Sequence, residues 1–374
     1  MARALILAFD IGTSSFRTAL FDPHGRRVPE TLAQQTYPLL TNPEGQAELD
    51  PAALEKAARA CLARTLAAFR QRNKKERITA TGASCFWHSL LAADSAGVPL
   101  SPIYTWAESR CKTEAEKLRQ KIDERAYHQS SGAMLRASFW PAKLAWLKKT
   151  RPALFSQAAA WLSPADWLFS RFCTGWHPSY SMASGTGLFN RKSNDWDDSL
   201  LRRFGISRSQ LGVISDAPLA TAPEFSQTFP ELGETQWLPP IGDGAASNLG
   251  CGATAPGQAA INFGTSAAIR VISTDERPKV PFGLFAYRVD ARRWLIGGAI
   301  SNAGNLRAWA LQNLQLPDDE ALEKAFQNHV PASLTALPFL AAERAPSWPE
   351  EVPAALLGFN LSTTAVDIFA ALTE

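Results

Sequence analysis

The sequence contains few cysteines, no surplus of charge of either sign and no long hydrophobic run. Its 374 residues include five cysteines, none of them in a Cys-x-x-Cys pair. That spacing argues against a disulfide framework and against a zinc site. Lys and Arg number 38 against 35 Asp and Glu, a net charge of +3, which gives no strong field for nucleic acid or an anionic membrane. We expect a cytoplasmic protein with neither kind of partner.

Two further absences narrow the class of protein. No apolar stretch approaches the ~20 residues that cross a bilayer. Residues 1–9 are mostly apolar, but Asp10 interrupts them and no small-residue cleavage site follows, so we interpret them as a strand and not as a signal sequence. The Gly-x-x-x-x-Gly-Lys-Ser/Thr motif is missing, which excludes a P-loop nucleotide site in its usual form.

What is present is a globular α/β pattern. Hydrophobic residues make up 46% of the chain, and strand-like segments alternate with helix-like ones, which predicts an α/β fold. Residues 4–10 and 16–21 predict an opening β-hairpin, and Asp50 with Pro51 marks the start of a helix. The other predicted elements are helices at 141–149, 164–175, 305–311, 318–327 and 363–374, and strands at 78–83, 90–93, 259–263, 267–273 and 294–296.

An internal repeat is the most informative feature of the sequence. Phe9-Asp10-Ile11-Gly12-Thr13-Ser14 and Ile261-Asn262-Phe263-Gly264-Thr265-Ser266 share the Gly-Thr-Ser bend and place Asp10 opposite Asn262. Each copy lies at the bend of a predicted hairpin, so two such hairpins would close around one cleft. We therefore expect two lobes, at 1–252 and 253–374, with the small residues 242–246 at their seam.

The Gly-Thr-Ser bends suit phosphate oxygens. Gly12, Thr13 and Ser14, and likewise Gly264 and Thr265, offer backbone N–H groups and hydroxyls without a side chain at the glycine. An ordinary tight turn is the alternative for a single copy. Asp10, at the end of a strand that we expect to be buried, would need a cation such as Mg²⁺ or hydrogen bonds to the turn.

Other residues suit transfer of phosphate to an alcohol. Asp243, between two glycines, is the candidate base for the hydroxyl proton. His88, Trp106, Glu108 and Arg110 follow predicted strands and offer an apolar wall with polar groups for a polyhydroxylated ligand. A core histidine and a surface ion pair are the alternatives for His88 and for Glu108 with Arg110.

Taken together, these residues resemble the FGGY carbohydrate kinases, and among them the gluconokinase-like members. The resemblance rests on the order and spacing of motifs along the whole chain. These motifs are Asp10–Ser15, Gly82–His88, Thr105–Arg110, Ser138–Lys143, Ser181–Gly187, Gly242–Ala246, Gly264–Ser266, Gly298–Gly304, Leu337–Leu340 and Glu343–Pro346.

The resemblance implies an actin-like (ribonuclease H-like) ATPase fold with two lobes that close on ATP, Mg²⁺ and a sugar. It implies that Asp243 is the catalytic base and that Asp10 faces the metal. Thr13, Gly264 and Thr265 match the phosphate-loop positions, and Gly304 matches a glycine near the nucleotide. The implied sugar site contains His88, Trp106, Glu108, Arg110 and Asp243, and the implied assembly is a homodimer. Gluconate is the favoured substrate, with Arg110, Arg136 or Lys143 as hypothetical partners of its carboxylate.

Two departures from the family pattern lead to an alternative. Glu108 stands where relatives often have Asp. Only 110 residues follow Gly264, and no Gly-rich adenosine-binding segment is found among them. The last predicted helix reaches Glu374 without a glycine cap, from which we expect an incomplete second lobe. A catalytically impaired sugar-binding remnant is therefore the alternative to a kinase, and a non-kinase ATPase of the same fold is a third hypothesis.

Overall fold

The computed structural model describes residues 3–72, 75–327, 334–341, 343–349 and 352–373. In chain order the strands are β1 Arg3–Ile11, β2 Ser15–Phe21, β3 Ala33–Thr36, β4 Leu40–Thr41, β5 Ala47–Leu49, β6 Glu76–Cys85, β7 Leu91–Ala93, β8 Ile103–Tyr104, β9 Ala160–Leu162, β10 Phe189–Asn190, β11 Asp195–Trp196, β12 Leu219–Ala220, β13 Gln236–Trp237, β14 Ile241–Gly242, β15 Ala259–Phe263, β16 Ala267–Ser273, β17 Phe285–Arg288, β18 Trp294–Ile300, β19 Thr335–Leu337 and β20 Ala355–Leu357. The helices are α1 Pro51–Arg70, α2 Lys112–Lys121, α3 Glu124–Ser131, α4 Trp140–Thr150, α5 Pro152–Gln157, α6 Pro164–Phe172, α7 Tyr180–Ser184, α8 Asp198–Phe204, α9 Pro223–Thr228, α10 Asp243–Gly250, α11 Gly304–Asn313, α12 Asp319–Gln327 and α13 Ala365–Thr373.

Local sequence signals explain where several helices begin. The Asp50 side chain accepts a hydrogen bond from the Ala52 N–H, and Pro51 occupies the first turn of α1, as predicted. Ser163 and Asp166 form a reciprocal capping box at the start of α6. The end of α6 was predicted wrongly, because the helix stops at Phe172 and not at Gly175.

The first lobe is built on a seven-stranded sheet. Its strands run in the order β12-β13-β6-β1-β2-β3, with β14 also paired to β6. The hairpin of β1 and β2 is antiparallel, as predicted, whereas β1, β13 and β14 all pair with β6 in parallel. The carboxyl ends of β1, β6 and β14 therefore lie at the same edge of the sheet.

The second lobe repeats the opening hairpin. β15 and β16 pair antiparallel with the predicted bounds, in a four-stranded sheet of order β15-β16-β18-β17. The two copies differ in their neighbours, since β1 lies between β2 and β6. Within the described residues, β15 pairs with β16 alone.

The predicted seam coincides with a helix. α10 contacts β6 and β14 of the first sheet and β15 and β16 of the second. The last predicted helix is shorter than expected, and Glu374 lies outside the described residues. None of the helices in the described part of the chain has the length and apolar character needed to cross a bilayer.

Candidate active site at the seam of the two lobes

The sequence-predicted residues Asp10, His88 and Asp243 gather at one edge of the first sheet. Asp10 lies near the end of β1 opposite Ser84 of β6, His88 follows β6, and Asp243 follows β14. In open α/β sheets, ligands bind outside the carboxyl ends of parallel strands. The fold therefore gives these side chains a common location that suits a ligand.

The first Gly-Thr-Ser bend is fixed by hydrogen bonds at Gly12, while its next two backbone N–H groups are unused. The Gly12 N–H donates to the Ser15 carbonyl at 3.0 Å, and the Tyr37 hydroxyl donates to the Gly12 carbonyl at 2.5 Å. The backbone N–H groups of Thr13 and Ser14 make no hydrogen bond to any described residue. Two donors therefore remain for a ligand.

The second bend repeats this arrangement. The Gly264 N–H donates to the Ser266 carbonyl at 3.0 Å, and the Gly304 N–H at the start of α11 donates to the Gly264 carbonyl at 2.9 Å. A Cβ at position 304 would lie only 2.5 Å from that carbonyl oxygen, so the contact requires glycine. Thr265 and Ser266 are exposed, and their N–H groups bond to no described residue.

Asp10 is not buried, contrary to our expectation. Its side chain is 45% exposed, and its Oδ2 accepts a hydrogen bond from Arg17 Nη1 at 2.7 Å. Arg17 faces Asp10 across the β1–β2 hairpin and gives one oxygen of the carboxylate a cationic partner within the protein. Sequence analysis missed Arg17, although its position three residues after the bend in an antiparallel hairpin could have revealed it.

Asp243 begins α10 where the two lobes meet. The side chain reaches solvent, and its Oδ1 accepts the Gly244 N–H at 2.7 Å. The surrounding protein keeps water away from the Asp243 carboxyl and so raises its pKa above the usual value, and the charge of Asp10 acts in the same direction. The Gly244 N–H and the cation of Arg270, on β16, oppose that shift. Asp243 is thus influenced by charges from both lobes.

The glycines around Asp243 make room for an indole ring and not for a ligand. A Cβ at Gly242 would lie 1.8 Å from the Trp87 ring, and one at Gly244 would lie 2.9 Å from it. The indole Nε1–H donates to the Ser181 carbonyl at 3.0 Å. Trp87 therefore fixes the backbone that carries Asp243.

His88 lies in an aromatic pocket and is neutral. Its ring centroid is 4.5 Å from that of Phe139 and 5.4 Å from that of Tyr287. Burial lowers the pKa of His88 to about 3. The Nδ1 atom lies 2.5 Å from the Gly185 carbonyl, and because a carbonyl only accepts, Nδ1 carries the proton. The unprotonated Nε2 is left as a hydrogen-bond acceptor.

The predicted Trp106, Glu108 and Arg110 behave differently from one another. Trp106 is 43% exposed. The Glu108 side chain is fully buried, and both of its oxygens accept hydrogen bonds from Arg110, with Oε2 also accepting the Ala47 N–H at 3.2 Å. Arg110 also pairs with Glu48. As placed, Glu108 holds Arg110 and presents no oxygen to the cleft.

The cations that we suggested for a substrate carboxylate are already engaged. Arg110 has two carboxylate partners, and Arg136 pairs with Glu124. Lys143 is fully buried, and its ammonium donates to the carbonyl oxygens of His88, at 3.0 Å, and Ser138. The hypothesis that one of these three groups binds a substrate carboxylate is therefore not supported by the geometry.

The donor set near the bends fits a magnesium ion that is bound mainly through phosphates. Within the described residues, no group of three or more His, Cys, Asp or Glu side chains could hold a metal ion. Mg²⁺ in nucleotide sites commonly takes one or two protein carboxylates, and substrate phosphates and water complete its shell. Asp10 offers one carboxylate of that kind, at the bend where the N–H groups of Thr13 and Ser14 are unused.

Comparison with known proteins places this site in a family. The model of the FGGY family of carbohydrate kinases matches its N-terminal domain to residues 5–237 and its C-terminal domain to residues 259–374. The chain belongs to the FGGY family of carbohydrate kinases. The resemblance that the motifs indicated is thus confirmed, and with it the expected phosphotransferase class.

The known relatives are named for different sugars. The gluconokinase of Bacillus subtilis (strain 168) is 29% identical to this FGGY kinase, over 96% of this chain and 72% of that protein. The xylulose kinase of Klebsiella pneumoniae is 25% identical over 91% of the chain and 70% of that protein. The solved gluconate kinase from Lactobacillus acidophilus superimposes with a TM-score of 0.91 at 27% identity, over 99% of this chain and 75% of that one. The actin-like ATPase fold is confirmed.

Proposed function

We propose that this FGGY kinase transfers the γ-phosphoryl group of ATP to a primary hydroxyl of a sugar acid similar to gluconate. The proposal is supported by the position of Asp243 at the start of α10, a helix that contacts both sheets, together with two matching Gly-Thr-Ser bends that each have spare backbone N–H donors. A phosphate chain held between two lobes needs donors from both sides, and a phosphoryl acceptor needs a base.

Each group has a role in the proposed reaction. Asp243 accepts the proton of the attacking hydroxyl, and its raised pKa brings it closer to neutral pH, where a general base is most effective. Thr13, Ser14, Thr265 and Ser266 would donate hydrogen bonds to phosphate oxygens as charge develops, and Gly264 would leave space for the phosphate beside them. Arg17 would add a cation next to them while it orients Asp10.

The remaining expected ligands fit around this centre. Asp10 would hold Mg²⁺, which when bound neutralises phosphate charge. Gly304 keeps the second bend in place through its contact with Gly264. On the sugar side, the Nε2 of neutral His88 would accept a hydroxyl, and Trp106 would supply an apolar wall. Glu108 would act by positioning Arg110.

We also propose the division into a sugar-binding lobe at 1–252 and a nucleotide-binding lobe at 253–374. The family domains at 5–237 and 259–374 lie on either side of that boundary, and α10 at the seam contacts both sheets. The homodimer that the resemblance implies stays a prediction, and the molar mass in solution tests it.

The proposed reaction is tested by coupled measurement of ADP release. We expect gluconate to raise ADP release above the background without sugar, and to do so more than xylulose, ribulose or glycerol. A higher rate with one of the neutral sugars would contradict the gluconate assignment. Binding of gluconate without any ADP release would contradict the kinase and support the sugar-binding alternative.

The role of Asp243 is tested by Asp243→Asn. General-base catalysis contributes typically about 10²–10⁴-fold, so we expect kcat to fall by at least about 10²-fold while KM for the sugar changes little. The matched control is Asp275→Asn, a change at an exposed carboxylate of the second lobe, which should keep wild-type kcat. Turnover like that of the wild type in Asp243→Asn would remove Asp243 from the role of base.

A further inference from the structure

Arg270 is a half-buried cation beside the proposed base that no part of the reaction above uses. It lies on β16 opposite Gly297 of β18, and its Nη1 donates to the Asn262 side-chain oxygen at 2.9 Å. Its Nε lies 2.8 Å from the point where Gly244 would carry a Cβ. The guanidinium therefore packs against the first turn of α10, next to Asp243.

The charge of Arg270 is not neutralised by a direct partner. No carboxylate in the described parts of the chain lies within 4 Å of its guanidinium, and its buried Nε has no hydrogen-bond acceptor there. Loss of hydration lowers the pKa of Arg270, which the charge of Asp243 counteracts. Shielding part of a cation from water without a close anion is costly, and the exposed part of the guanidinium can still reach a ligand, so the position suits an anionic ligand.

A second cation strengthens the positive field on this side of the cleft. Arg344 donates to the Ser301 hydroxyl and the Ile300 carbonyl, and no described carboxylate lies within salt-bridge distance of it. Its charge acts on His88 and, together with that of Arg270, on the Tyr287 hydroxyl. The aromatic pocket of His88 is therefore bordered by two cations that lack ion-pair partners among the described residues.

We propose that Arg270 binds the carboxylate of the sugar acid and so selects an acid over the neutral sugar of the same length. This proposal rests on the proposed kinase function. It replaces Arg110, Arg136 and Lys143, each of which is already occupied by protein groups. A guanidinium can hold a carboxylate with two parallel hydrogen bonds, which a neutral hydroxymethyl group cannot accept in the same way.

The surroundings of Arg270 favour the sugar over the phosphate chain. Its guanidinium packs near Trp87, whose ring centroid lies 5.0 Å from that of Tyr287, and both rings contact His88. The spare N–H groups for phosphate belong to the Gly-Thr-Ser bends instead. Arg270 is therefore grouped with the residues proposed to contact the sugar.

The proposal is tested by calorimetric binding of gluconate and of glucitol, which carries a hydroxymethyl group in place of the carboxylate. The measurements omit nucleotide and use the full chain as wild type, Arg270→Gln, Arg270→Lys and the control Arg293→Gln. Arg293 pairs with Asp290 in the connection between β17 and β18 of the same lobe. Hydrogen bonds to charged groups contribute about 1.5–3 kcal/mol, so we expect Arg270→Gln to weaken gluconate binding by about 10-fold or more.

Glucitol binding should not change in Arg270→Gln, Arg270→Lys should recover part of the gluconate affinity, and Arg293→Gln should match the wild type. Equal weakening of both ligands, or gluconate binding like that of the wild type, would overturn the proposal. Unchanged gluconate binding in Arg270→Gln, together with a kcat that falls for every sugar, would also overturn the proposal. That result would assign Arg270 to the phosphoryl group. Gluconate binding that depends on Arg270 without ADP release would contradict only the kinase function.

Discussion

At the scale of single residues, Gly242 shows how packing fixes the catalytic backbone. An alanine at this position would place its Cβ 1.8 Å from the Trp87 ring, and the ring is held by its hydrogen bond to Ser181. Overpacking of this kind costs about 1–3 kcal/mol. We expect Gly242→Ala to lower the free energy of unfolding by that amount, measured by denaturant titration, and to reduce kcat through displacement of Asp243.

The matched control is Gly250→Ala, in the α10 helix that directly follows Gly242. A Cβ at Gly250 meets no atom within 4 Å, and alanine favours a helix over glycine by about 1 kcal/mol. Gly250→Ala should therefore be neutral or stabilising. Equal losses of stability in the two variants would show that the Trp87 contact is not the cause.

The pH dependence of activity is also a property of single residues. The pKa of Asp243 is raised by loss of hydration, and that of His88 is lowered to about 3 by burial. Asp243 must be ionised to accept a proton, so we expect kcat/KM to fall as the pH decreases. The midpoint of this fall should lie at a higher pH than an ordinary aspartate would give. His88→Asn should lower kcat/KM without moving this midpoint. A midpoint that shifts in His88→Asn would assign the ionisation to the histidine.

At the scale of elements, α4 supplies a buried lysine that holds two loops together. The Lys143 ammonium donates to the carbonyls of Ser138 and of His88, a residue with φ of 66°. Replacement by methionine leaves these buried acceptors without their donor, at about 1–3 kcal/mol for each unsatisfied group. We expect Lys143→Met to destabilise the fold and to raise KM for the sugar, because the His88 loop loses its support.

The stabilisation by Lys143 should depend on pH. Burial lowers its pKa to about 8, against 10.5 in the unfolded chain. Between these values the unfolded state binds the proton and the folded state does not, so wild-type stability relative to Lys143→Met rises with pH. Denaturant titrations at pH 7 and pH 10 measure this difference. A difference that is constant between the two pH values would contradict the lowered pKa.

The elements that could be predicted from sequence are those with local signals. The bounds of β15 and β16 were predicted correctly because Gly264-Thr265-Ser266 interrupts two short apolar runs. The α10 helix was missed as a helix, since a run of small residues at 242–246 has no hydrophobic periodicity.

The site was predictable as a set of motifs but not as a set of contacts. The repeat indicated Asp10 and the two bends, yet the ion pair with Arg17 depends on the register of β1 and β2. The burial of Glu108 depends on Ala47 and Glu48, which lie about 60 residues earlier in the chain. Such long-range pairings have no local signature in a single sequence.

At the scale of the whole molecule, the hydrophobic interior consists of two unequal parts. The main core is a cluster of buried residues from both lobes, of which Leu5 is the first in the sequence and Leu295 the last. A second cluster contains only Ala310, Leu322, Phe369 and Leu372 among its fully buried members in the described part of the chain, and it joins α11, α12 and α13. Local opening requires least free energy where few apolar contacts are buried. The second cluster should therefore open before the rest of the molecule.

Hydrogen exchange measured by mass spectrometry tests this expectation. Amides of α12 and α13 should exchange faster than those of β16 and β18, which belong to the same lobe but pack on the main core. Phe369→Ala, which removes a ring that contacts Phe326, should accelerate exchange in α11 to α13 and leave β1 and β6 unchanged. Faster exchange in β1 and β6 as well would show instead that the two clusters open as one cooperative unit.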